Sequence, residues 1–86
     1  LLNDATFVES AGALSERMTV QYPTDSTERI QAMALAVLQR RLDAEELSVC
    51  LDLRADAMAI HGYEAAAADA LIASTLLNLD EAITHE

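Results

Sequence analysis

Eighty-six residues bound the chain to one domain, and with 3% aromatic residues and no Trp its core must be aliphatic. Fifteen Asp and Glu against five Lys and Arg give a formal charge of −10. That balance argues against nucleic acid and against an anionic membrane surface, both of which need clustered cations, and leaves a basic protein partner open. Seventeen alanines with only two Gly and one Pro point to an all-α, four-helix bundle-like domain with short connections over residues 1–86.

The first helix is expected over about residues 4–20. Phe7, Ala11, Leu14 and Met18 recur on one helical face. Asn3 or Asp4 can cap the first turn, and with Asn3 as cap, Leu2 and Phe7 stand at hydrophobic-staple positions. Tyr22-Pro23 ends the segment, because the residue before proline avoids helical backbone.

The second helix starts at "TDSTER", where Asp25 and Glu28 have the spacing of an acidic capping box. Ile30, Ala34, Val37 and Leu38 share a face, with Met33 and Leu42 on its flank. The third starts at "LDAEEL" with Asp43 and Glu46 in the same pattern. Its broad stripe of Leu47, Cys50, Leu51, Leu53, Ala57, Met58 and Ile60 predicts contact with two neighbours. His61-Gly62-Tyr63 reads as the break, with Gly62 as the left-handed terminator.

The fourth helix is expected over about residues 64–79. Ala65 to Ala68 would let another helix approach closely. Leu71, Ile72, Leu76, Leu77 and Leu79 then make it apolar on almost every side. A helix apolar all round is buried all round, which is hard to arrange in a bundle this small. These five residues are therefore the candidate interaction surface, for self-association or for the rest of a longer chain. The start at Leu1-Leu2 without Met adds the expectation that the 86 residues were processed or excised from something longer, so the absence of a signal-peptide pattern does not bear on compartment. No run of about 20 apolar residues is present to span a membrane.

Chemistry is sparse. Asp80, Glu81, His85 and Glu86 follow the leucines, but two histidines 24 positions apart give no ligand spacing for a metal. Asp80 is better read as the cap of a final turn carrying Ile83. Glu45-Glu46 fit a favourable interaction with a helix N-terminus rather than acid–base work. The single Cys50 lies among apolar neighbours, as an inert packed thiol does. No catalytic, cofactor or metal residue is assigned. Asp25-Ser26 at a helix start resembles the Asp-Ser of acyl carrier proteins, whose serine bears a phosphopantetheine arm, although Thr27 stands where those proteins have an apolar residue. That makes a carrier modified at Ser26 one alternative; another is part of an enzyme completed by further chain.

Three stretches carry a broader resemblance. "LLNDATFVESAGALSERM", "ERIQAMALAVLQRRLDAEEL" and "LLNLDEAITHE" are similar, in order, to the C-terminal region of a family of planctomycete-type secreted proteins of unknown function, which accompany planctomycete cytochrome c modules. The chain departs at Ala5 and at Leu42 or Asp43, where that family commonly has proline. The resemblance implies export to the periplasm or beyond, and a non-catalytic helical module supporting the folding or assembly of its parent. It supplies no catalytic residues, and no Cys-x-x-Cys-His haem motif is present.

Overall fold

Capping and patterning place four helices: α1 (Ala5–Gln21), α2 (Ser26–Leu38), α3 (Ala44–Ala59) and α4 (Ala65–Thr84). The computed structural model describes the backbone of residues 5–84 and the side chains of residues 9–80. The expected roles of Leu2, Asn3, Asp4, Phe7, Glu81, Ile83, His85 and Glu86 lie outside the described residues or side chains.

The breaks fall where local chemistry puts them. α1 stops before Tyr22-Pro23. α2 begins after Asp25, whose carboxylate accepts the Glu28 N–H at 3.1 Å. Glu28's own carboxylate is turned to Arg41, 3.2 Å away, so this cap is one-sided. The cap of α3 is reciprocal: Asp43 accepts the Glu46 N–H at 2.8 Å, and Glu46 accepts the Asp43 N–H at 3.0 Å. α2 closes on Gln39, held left-handed at φ 60° with its N–H donated to Leu35 O. α3 closes into Gly62 at φ 70°, a conformation that costs a residue with a Cβ roughly 1–2 kcal/mol. The Tyr63 N–H reaches back to Ala57 O.

Ala11, Leu14 and Met18 of α1, and Ile30, Met33 and Ala34 of α2, form the core with Leu42, Cys50, Ile72, Ala73 and Leu76. Met33 is at the centre of this cluster rather than on its flank, fully buried beside Ile30. α3 packs on two neighbours, α2 and α4, but shallowly. Only Cys50 and Ala57 of its stripe are buried, whereas Met58 and Ile60 face outward.

α4 is the hub. It touches α1, α2 and α3, whereas α1 and α3 do not meet among the described residues. Three helices around a fourth bury Ile72 and Leu76 of its apolar run completely and leave Leu79 exposed. Ala68 and Ala73 are fully buried on it; small side chains there let its neighbours come close. α4 also runs on to Thr84, past the expected end at 79, so Asp80 is an interior helical residue and not a cap. No Gly or Pro follows Gly62 to break the helix. The radius of gyration, 12.1 Å, equals the roughly 12 Å expected of a packed chain this long.

A hub helix makes a contrast that urea denaturation can measure. Ile72→Ala should cost about 2–5 kcal/mol, the range for emptying a fully packed aliphatic site. Leu79→Ala, seven residues on but 40% exposed, should cost less than about 1 kcal/mol. Equal losses would mean that α4 is not central.

Candidate functional site

The five candidate residues of α4 separate by depth. Ile72 (0% exposed) and Leu76 (1%) belong to the core, and Leu77 is half-buried against it. Leu71 is half-buried under the α3–α4 turn, in clefts shared with Leu53, Ala57, His61 and Tyr63 on one side and Ala67, Ala70 and Ser74 on the other. Leu79 reaches the surface. It edges an apolar groove of about 210 Å³ between α3 and α4, together with Val49, Leu42, Cys50, Thr75, Leu76 and Glu46. Leu42, Cys50 and Leu76 are the buried members, while Val49 stands 63% exposed on the α3 side. The structure therefore brings Leu76 and Leu79 to one surface feature and sends Ile72 inward. Val49 escapes the sequence reading because it lies off the α3 stripe that faces the core.

Cys50 lines this groove. Burial pushes its thiol pKa up, and the Glu46 carboxylate adds to the effect, so it is a poor nucleophile at neutral pH. Among the described residues, no three of His, Cys, Asp and Glu converge as metal ligands, and no helix is long and apolar enough to cross a membrane. Ser26 is the first residue of α2, half-buried beside its cap Asp25.

The densest electrostatic arrangement is internal. Asp69 of α4 is 3% exposed and Arg29 of α2 is 4% exposed. Arg29 Nη1 donates to Asp69 Oδ2 at 3.0 Å, and Arg54 Nε of α3 donates to Oδ1 at 2.7 Å. Arg29 has donors to spare. Nε and Nη2 donate to Tyr22 O at 3.2 and 3.0 Å, and Nη2 donates also to Pro23 O at 3.1 Å. A second buried polar link holds the α2–α3 connection. Gln31 Nε2 donates to Leu42 O at 3.1 Å, and the Leu42 N–H donates to Gln31 Oε1 at 2.7 Å. That pairing lets Leu42, a loop residue, enter the core with both backbone groups satisfied.

These residues were not singled out from sequence, yet a signal was present. Arg54 follows Cys50 by four and Asp69 precedes Ile72 by three and Leu76 by seven. Each is a charge set into an apolar stripe.

At the surface, Arg40 and Glu46 form a two-pronged pair with both contacts at 2.9 Å. The Arg40 hydrogen bond, then the Asp43 backbone N–H, hold the Glu46 carboxyl at about 2, below the usual 4.5.

Against family profiles, characterised proteins and solved structures, the chain finds no match in any of the three comparisons.

Two measurements follow from the charges. Asp69→Ala leaves Arg29 buried without its counter-ion and should cost about 3–5 kcal/mol, out of a total of about 4–13 kcal/mol for a chain this long. Arg54→Met, at the more exposed end of the triad, should cost less. Urea midpoints read both, and a loss below about 1 kcal/mol for Asp69→Ala would refute the assignment. For Glu46, the folded pKa lies below the unfolded one, so its stabilisation is complete above pH 4.5 and fades as pH falls toward about 2. Glu46→Gln should therefore lose less melting temperature between pH 6 and pH 3 than the parent sequence; an identical loss would show that this carboxylate does not report on folding.

Proposed function

We propose that the domain is a non-catalytic helical module of an exported, planctomycete-type protein, and that it supports the folding or assembly of a longer parent chain. The observation that carries this reading is the division of labour among its side chains. Buried polar groups such as Arg29, Asp69, Arg54 and Gln31 hydrogen-bond to other parts of the fold. The outward apolar residues Val49 and Leu79 flank a surface groove. Such a body presents a surface held on rigid helices, as an assembly module does. Export and the family rest on the resemblance of the three sequence stretches.

The test is cell fractionation of the source organism with an antibody raised against the chain. The expected result is a band larger than 9.3 kDa in the periplasmic or surface fraction. A 9.3 kDa band in the cytosol would overturn both export and the longer parent. Intact mass after incubation with a phosphopantetheinyl transferase addresses the carrier alternative: a mass gain lost in Ser26→Ala would replace this reading with that one.

A further inference from the structure

The groove between α3 and α4 has a chemistry that selects its occupant. Its apolar edges are Val49 and Leu79, and its depth is Leu42, Cys50 and Leu76. On α3, Glu45 lies four residues before Val49 and Asp52 three residues after it, so both share Val49's face of the helix. Both are exposed. Among the described residues no cation pairs with them: Arg29 and Arg54 are held by Asp69, Arg40 by Glu46 and Arg41 by Glu28. The remaining arginine, Arg17, is on α1, which does not touch α3 among the described residues.

We infer that this groove binds a short cationic amphipathic segment of a partner chain, with one aliphatic side chain seated between Val49 and Leu79 and flanking Lys or Arg side chains on Glu45 and Asp52. A volume of about 210 Å³ suits one anchoring side chain. A second copy of this chain is the wrong occupant. Each copy carries −10, and a two-fold pairing of grooves would set Glu45 and Asp52 against their own equivalents. The two exposed aliphatic side chains of this groove also fall short, by themselves, of the roughly 800 Å² per partner that a stable dimer buries. Glu45 and Asp52 stand outside the groove lining, about one turn of α3 to either side of Val49, so a helical segment with an anchor beside Val49 and cations three or four residues away can reach both.

The inference rests on the reading of the domain as an assembly module, but the two fail separately. Fractionation asks where the protein resides; the present test uses the chain alone. The probe is a fluorescein-labelled 14-residue peptide of leucine and lysine at helical spacing, with a glutamate-for-lysine peptide as control, followed by fluorescence polarisation. The expected result is saturable binding of the cationic peptide only. Val49→Ser and Leu79→Ser, which leave the charge unchanged at exposed positions, should each weaken it at least fivefold. Glu45→Gln with Asp52→Asn should weaken it further and flatten its salt dependence. Methyl resonances of Val49 and Leu79 should shift on titration in the unsubstituted chain. Binding that ignores both serine substitutions would be unspecific charge attraction, and would overturn the inference. So would no binding at millimolar peptide, equal binding of the acidic control, or a dimer in sedimentation that Val49→Ser dissolves.

Discussion

A carboxylate in the middle of an aliphatic core is costly unless its charge is answered, and Asp69 is answered twice. Arg29 comes to it from α2 and Arg54 from α3. Arg29 then uses its remaining donors on the carbonyls of Tyr22 and Pro23, just beyond the end of α1. One guanidinium and one carboxylate thus join α2, α4 and the exit of α1, and Arg54 adds α3. Replacing such a set by well-packed apolar side chains is often neutral or stabilising, so net stability does not account for it. Geometry does. A slip of α4 by one turn would move Asp69 by about 5.4 Å, beyond hydrogen-bonding distance of both arginines. Leucine, isoleucine and alanine alone would resist such a slip far less, since one aliphatic contact much resembles the next.

That constraint matters because the rest of the core is so plain. A chain this short buries only about 60–65% of the surface exposed when unfolded, and the largest fully buried side chains among the described residues are Ile30, Met33, Ile72 and Leu76. The fold compensates with closeness. Alanines on α4 bring the neighbouring helices near, and the Gln31 clamp draws Leu42 from the α2–α3 connection into the centre. With α4 as hub, three helices cover Ala68, Ile72, Ala73 and Leu76, while Leu79 stays at the surface.

What could be read from the sequence was local. The Asp43–Glu46 cap, the left-handed Gly62, the stop at Tyr22-Pro23 and the buried face Ala11–Leu14–Met18 each depend on residues within about two turns of one another. The all-α, four-helix architecture follows from them. The buried network was not read, because Arg29 and Asp69 are 40 residues apart and Arg54 and Asp69 are 15 apart. Periodicity shows that a charge sits in an apolar stripe, but it does not name the partner. The Glu28 carboxylate shows the same limit, since Arg41 drew it from its expected cap. The candidate surface split for a related reason: a hydrophobic run marks a helix as buried, while its depth at each position is set by the helices around it. Ile72 and Leu79 are one such run with opposite fates.

The charge distribution joins interior and surface. All five cations are arginine and none is lysine. The planar five-donor guanidinium allows Arg29 to serve a carboxylate and two carbonyls at once, which an ammonium with three donors could not do in the same geometry. Two of the five are committed to Asp69, and two more, Arg40 and Arg41 of the α2–α3 connection, to Glu46 and Glu28. The acids outnumber the bases threefold, so every arginine spent on structure leaves the outer acids less compensated. The same arginines that tie the helices together thereby leave the outward face of the bundle acidic.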